Sequence, residues 1–222
     1  MHVAIIGGTG DIGEGLALRL ARDTTHTVIV GSRAETKAVG RADDYRDILG
    51  ERGNDSSLLG MDNESAVEAG DVIVAAIPPE YIESTIESLA PVLTADKILV
   101  TPAVSMRRDS AGFHFDPPAA GSVSEAVEAV APASVPIVGA FHNLAAGALS
   151  DVDHELSADV LLTGDSPEAK AVVGYLVESI DGLRPLDAGP LANSAAVETV
   201  TPLLINLAIH NDGMHDLGVR FE

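Results

Sequence analysis

The chain has 222 residues, 46% of them hydrophobic but only 3% aromatic, so its core must be built from Val, Ile, Leu and Ala. It has no cysteine, which excludes disulfides, thiol nucleophiles and iron–sulfur clusters. Thirty-four acidic residues against 13 Lys and Arg give a formal net charge of −21, and nucleic acid and anionic membranes are not expected partners of such a surface.

The acids are dispersed through an ordered pattern and lysine is scarce, which points to a high-salt, halophilic cytoplasm where ions screen self-repulsion. No basic segment leading into an apolar one opens the chain. No unbroken apolar stretch reads as long enough to cross a bilayer, so a cytoplasmic protein is expected.

The first apolar run, Val3–Ile6, predicts a strand. It leads directly into Gly7-Gly8-Thr9-Gly10-Asp11-Ile12-Gly13. Ile12, Leu16 and Leu20 then recur at helical spacing. Gly8, Gly10 and Gly13 match G-x-G-x-x-G in the strand–turn–helix setting that the dinucleotide motif requires. Glycine permits the tight turn and the close approach of backbone to a pyrophosphate. The free amides of the following helix then face that anion.

A second strand, Thr27–Val30, ends at Gly31-Ser32-Arg33, and a polar helix is predicted over 35–49. An NAD site needs an acid at this strand tip for the ribose hydroxyls, whereas an NADP site replaces it with cations for the 2′-phosphate. Here there is no acid. Ser32 offers a hydroxyl, and Arg33 and Lys37 can reach a dianion. The expected cofactor is therefore NADP.

A short strand at Leu58–Leu59 is followed by a helix capped by Asn63 and stopped at Gly70. Val72–Ile77 reads as a strand buried on both faces, and Pro79 starts a helix carrying Ile82, Ile86, Leu89 and Leu93. Lys97–Val100 is the fifth strand. Residues 105–120 read as irregular. Ser122 and Glu125 form a capping box for a helix to about Ala131, and Pro136–Ala140 is the sixth strand. Six alternating strands and helices predict an α/β fold with a doubly wound parallel (Rossmann) sheet over residues 1–148.

Residues 149–222 form a small C-terminal α/β unit expected to cover the cofactor cleft. Residues 143–158 read as loop, Val160–Thr163 as a strand, and Pro167–Ser179 as a helix. The 183–190 stretch is extended, and a long apolar helix covers about 191–209 with a kink at Pro202. Such a helix is too apolar to stay open to water, so a homodimer is expected. No metal site is expected, since the histidines are scattered and His210 and His215 do not share a helical face.

The glycine loop, Gly31-Ser32-Arg33, the run Asp181–Leu191 and Thr201-Pro202-Leu203 together resemble the archaeal NADP oxidoreductases that depend on coenzyme F420, a deazaflavin. The resemblance covers nearly the whole chain. It implies reversible hydride transfer between nicotinamide and deazaflavin rings stacked in a cleft between the two units. It implies that Thr9, Gly10, Asp11 and Ile12 hold the pyrophosphate and that Ser32, Arg33 and Lys37 hold the 2′-phosphate. Ile77, Val104, Ala140 and Leu217 would line the nicotinamide side, and His142, Thr199 and Thr201 the deazaflavin side.

The residues themselves agree with this chemistry. Hydride transfer between two carriers needs position and dryness more than an acid or base, and apolar strand ends such as Ile77-Pro78 and Ala140-Phe141 supply both. No dedicated catalytic residue is expected, with His142 the candidate for a polar contact to the rings. One departure from the family stands out. Its pattern carries an arginine after Asn-Ser near the last helix, where this chain has Asn193-Ser194-Ala195. Arg107, Arg108 and Arg184 are the candidates to replace that cation. Two other readings stay open: an NADPH-dependent reductase of a flavin or ferric complex, and a non-enzymatic NADP-binding sensor.

Overall fold

A computed structural model describes residues 1–222. Its main sheet has six parallel strands: β1 (His2–Ile6), β2 (Thr27–Ser32), β3 (Leu58–Asp62), β4 (Val72–Ala75), β5 (Ile98–Thr101) and a last strand, Ile137–Gly139. In spatial order they run β3-β2-β1-β4-β5 and then Ile137–Gly139. Alternation along β1 explains the two-sided burial. Val3 and Ile5 join one apolar cluster, while Ala4 and Ile6 join another on the opposite face. Helices α1 (Asp11–Asp23), α2 (Glu35–Gly50), α3 (Asn63–Ala69) and α4 (Pro79–Leu89) connect the first five strands. The order reverses between β1 and β4. Ligands of such sheets bind at that reversal, outside the carboxyl ends of the strands.

Several expectations need correction. The cap of α3 is Asp62, whose carboxylate accepts from the Ser65 amide at 3.0 Å; Asn63 is the first helical residue. The segment read as irregular contains a ribbon, β6 (Met106–Asp109) paired antiparallel with β7 (Gly112–Phe115). Four-residue strands carry too little periodicity to be read from sequence. Ser122 is the N-cap as expected: it accepts from the Glu125 amide and opens α5 (Val123–Val130), which leads to the last main strand, β8 (Ile137–Gly139). The Glu125 carboxylate accepts from the Ser122 hydroxyl and not from its amide, so the reciprocal half of the box is not made.

Residues 143–158 also hold a helix, α6 (Ala146–Ser150). It exists because of a distant side chain. Arg19 of α1 is fully buried and donates to the carbonyls of Ala148, Leu149, Asp151 and His154 at 2.5–2.9 Å, satisfying the carboxyl end of α6.

In the C-terminal unit β9 (Ala158–Leu162), α7 (Pro167–Glu178) and β10 (Leu183–Asp187) form a parallel β–α–β unit. It buries Val160, Leu162, Val173 and Leu176 in the same apolar cluster as Val3 and Ile5, and Gly139 bridges to Thr163. The long apolar helix is broken. A 3-10 turn (Leu191–Asn193) leads to α8 (Ser194–Glu198), and α9 (Val200–His210) follows a break at Thr199. The break precedes Pro202 because a proline ring clashes with the carbonyl four residues earlier, that of Glu198.

By length and composition, Leu191–His210 is apolar enough to cross a membrane, and only 22% of its most apolar 18-residue window is buried. It is not an unbroken apolar run, since Asn193, Ser194, Glu198 and Asn206 interrupt it. Broken at Thr199, its second half forms one wall of a cleft.

Candidate functional site

The carboxyl ends of β1, β4, β5 and β8 open on a cleft of about 750 Å³, roofed by α9 and the C-terminal segment. On the sheet side its lining includes Gly10, Asp11, Ile12, Ile77, Pro78 and Val104. On the other side it includes Thr201, Leu204, Ile205, Ala208 and Leu217.

The glycine loop is shaped for an anion. Gly7 has φ +79, and a Cβ there would lie 2.3 Å from the Ala76 carbonyl. A Cβ on Gly8 would meet the Ile5 carbonyl at 2.8 Å, and one on Gly13 the Gly7 carbonyl at 2.4 Å. Gly10 differs: its Cβ would meet nothing closer than 3.4 Å, so no protein atom demands glycine there. Gly10 is the N-cap of α1 and supplies no side-chain acceptor. The amides at the start of α1 are thus left to face the cleft, where a pyrophosphate fits. Tyr45, fully buried on α2, braces the loop by donating its hydroxyl to the Gly8 carbonyl at 3.0 Å. Burial pushes its phenol well above the usual range, so it remains a donor.

At the tip of β2, Ser32 is buried, while Arg33 and Lys37 are exposed. The N-cap of α2 is Ala34, which offers no side-chain cap. A helix start without a cap, beside a hydroxyl and two cations, suits a phosphate dianion. Beside Gly31 the buried Oδ1 of Asn63 has no protein partner; as an acceptor it suits a ribose hydroxyl and not the phosphate itself.

The expected site residues divide. Gly10, Asp11, Ile12, Ile77, Pro78, Val104, Leu217, His142 and Thr201 all border the cleft. Gly8 and Ala140 are buried behind it. Thr9 sits in the loop just outside the lining. Thr199 falls at the break before α9, is exposed, and donates to the Ala196 carbonyl, so it does not border the cleft.

His142 borders the cleft, but its ring is wholly buried, with Nε2 3.5 Å from Ser124 Oγ and 3.9 Å from Glu198 Oε1. Burial lowers its pKa to about 3, so the imidazole is neutral at working pH. Nε2 is turned toward Ser124 and Glu198, while Nδ1 has no protein partner. The His142 backbone carbonyl accepts from Thr201 at 2.7 Å and pins the start of α9. Phe141 just before it has φ +66, an unusual conformation for a bulky residue, at the turn that delivers His142 to this position.

Glu198 completes the anchor. Its fully buried carboxylate accepts from the amides of Val123 and Ser124 at 3.0 Å and from Ser124 Oγ at 3.1 Å, tying α8 to the start of α5. Burial raises its pKa. Neither Glu198 nor Tyr45 was found from the sequence, since both act through contacts 37 or more residues away. The wall residues Thr201, Leu204, Ile205 and Ala208 do carry a signal, their helical i, i+3, i+4, i+7 spacing.

The comparisons bear on the whole chain. The family model described as NADP oxidoreductase, coenzyme F420-dependent, matches residues 2–105. The F420-dependent NADP reductase of Methanocaldococcus jannaschii is 41% identical over 212 residues, which is 94% of this chain and 93% of that protein. The chain belongs to the F420-dependent NADP oxidoreductase family. The F420-dependent NADP reductase of Methanothermobacter thermautotrophicus is 35% identical over 99% of this chain and 94% of its own length. A solved structure from Arthrobacter sp. FB24, itself assigned only provisionally as an F420-dependent NADP reductase, superposes with a TM-score of 0.79. It covers 99% of this chain and 98% of that one at 22% identity, and it bears on the fold of this F420-dependent family.

Proposed function

We propose that this chain catalyses reversible hydride transfer between NADP(H) and the deazaflavin coenzyme F420. The single observation that carries this reading is the asymmetry of the cleft. One rim is a glycine loop with uncapped amides, near a strand tip with Ser32, Arg33 and Lys37. The opposite wall is the apolar face of α9. Residues 1–148 act as the NADP-binding unit, and residues 149–222 supply the cover. The bound carriers supply the chemistry: a hydride passes from nicotinamide to deazaflavin, and a solvent proton balances the charge.

The protein's own residues bind, orient and keep dry. The amides of Asp11 and Ile12 hold the pyrophosphate. Ile77, Pro78, Val104 and Leu217 form an apolar slot for the nicotinamide, and Leu204, Ile205 and Ala208 exclude water from the facing side. The ionisable lining is limited to Asp11, His142 and Asp216, and the His142 ring is buried and neutral. No pair of groups is poised for acid–base work, which suits direct hydride transfer. The test is deuterium transfer from stereospecifically labelled NADPH. Label recovered in the reduced deazaflavin is expected. Label passed only to a flavin, or lost to solvent, overturns the assignment in favour of another NADPH-dependent reductase.

We further propose a cytoplasmic homodimer adapted to high salt. Leu203 and Leu207 on α9 are 56% and 41% exposed and lie outside the cleft lining, so a second copy is the natural cover for that face. Sedimentation in low and molar KCl tests this. A dimer that persists in molar KCl is expected, and a 22.8 kDa species alone under both conditions rules it out.

A further inference from the structure

In a chain with 34 acidic residues, a cation without an anionic partner stands out. Of the 13 Lys and Arg, seven are ion-paired with carboxylates. Arg19 and Lys97 donate to buried carbonyls, and Arg220 to Ser157 Oγ. The three that remain, Arg33, Lys37 and Arg108, donate to no protein group. Two of these stand at the tip of β2, where the 2′-phosphate is proposed to sit. Arg108 is left without a task.

Its position gives it one. Arg108 lies on β6, two residues after Met106, so the two side chains share a face of the ribbon. Met106 borders the cleft. The guanidinium carbon lies 5.2 Å from the centre of the ring of Phe113, its cross-strand neighbour, a contact that holds the side chain there without neutralising its charge. The other face of the ribbon is the reverse case. There Arg107 and His114 both bond Asp109, whose pKa these contacts and the Ala111 amide hold down at about 2. The ribbon is also fastened to the cleft wall. Asn206 of α9 accepts from the Phe113 amide at 2.8 Å and donates to its carbonyl at 2.7 Å, in the manner of a neighbouring strand. Gly112, at φ +120, leaves the space this needs, since a Cβ there would stand 2.4 Å from Asn206 Oδ1. Of the other candidates for the cation missing at Ala195, Arg184 is engaged by Asp159 at 2.7 and 2.8 Å, and Arg107 by Asp109.

We propose that Arg108 binds the anionic side chain of the deazaflavin coenzyme, through its phosphodiester or glutamyl carboxylates, at the mouth of the cleft. This rests on the hydride-transfer reading above. It makes the ribbon a specificity element that distinguishes the complete coenzyme from its bare ring. A guanidinium held over an aromatic ring and otherwise unbonded is well suited to either oxyanion.

Fluorescence titration tests it with two probes: the complete coenzyme, and the deazariboflavin fragment, which has the same ring and neither phosphate nor carboxylate. Arg108→Met keeps the stem over Phe113 and removes the charge. It is expected to weaken the complete coenzyme about 10-fold at low ionic strength, the usual size of one charge-assisted contact. The fragment's Kd and the KM for NADPH stay unchanged. Arg108→Lys retains most of the affinity, and added KCl weakens the wild type more steeply than the Met variant. Equal weakening of both probes, no change in either, or a rise in the KM for NADPH overturns the proposal alone. A wild-type protein that binds neither probe overturns it together with the hydride-transfer reading.

Discussion

Replacing Arg33 with alanine raises the KM for NADPH by about 10- to 100-fold, the range expected for one charge-assisted contact to a phosphate, and leaves that for NADH nearly unchanged. The physical basis is the contrast between this rim and the rest of the surface. Most cations here are tied to a carboxylate or a carbonyl, whereas Arg33 and Lys37 are exposed and bonded to no protein group. The helix beside them starts after Ala34, whose side chain offers no acceptor to the first amides of the helix. The 2′-phosphate is the part of NADPH that NADH lacks, so the loss falls on one cofactor. Lys37→Ala acts in the same direction but less strongly, because a flexible ammonium makes no bidentate contact. The double variant should approach the affinity of NADH itself. Steady-state kinetics with both cofactors decide the matter. Equal weakening of NADPH and NADH assigns the two residues to the loop's structure and removes them from the 2′-phosphate site.

The second large effect separates two reasons for a glycine. A Cβ on Gly13 would lie 2.4 Å from the Gly7 carbonyl and 2.7 Å from the Gly8 Cα, both backbone atoms with nowhere to move. Gly13→Ala should therefore cost about 1–3 kcal/mol of stability, roughly 2–10 °C in Tm, and lose NADPH binding as the loop deforms. Gly10 has no such neighbour within 3.4 Å and takes an ordinary extended conformation, φ −99. Gly10→Ala should leave Tm equal or slightly raised, since alanine restricts the unfolded chain. It should still weaken NADPH and NADH alike, by about 10-fold or more, because the methyl group occupies the path of the pyrophosphate. Thermal melts and cofactor titrations on the two variants make the comparison. If Gly10→Ala binds NADPH like the wild type, the backbone does not approach the phosphates at that residue, and the pyrophosphate lies elsewhere on the loop.

Much of this arrangement was legible because its causes are local. The glycine loop announces itself by spacing within one turn, and the tip of β2 by the absence of an acid beside two cations. The six parallel strands announce themselves as short apolar runs that need cover on both faces. These are properties of neighbouring residues, and they were enough to determine the sheet, the NADP preference and the side of the sheet where the cleft opens. What the tertiary structure decided depends on residues far apart in the chain. Helix α6 stands because Arg19, about 130 positions earlier, satisfies its carbonyls. The ribbon β6–β7 is held where it is by Asn206, 93 positions away. His142 was expected to offer a polar contact to the cofactor rings; the structure places its Nε2 beside the buried Ser124 and Glu198, leaves Nδ1 without a protein partner, and gives its carbonyl to Thr201. Arg108 became distinct from Arg107 only when the pleat set them on opposite faces, one beside Asp109 and the other over Phe113. Pairings of this kind depend on which elements come to lie side by side, and no window of adjacent residues contains that information.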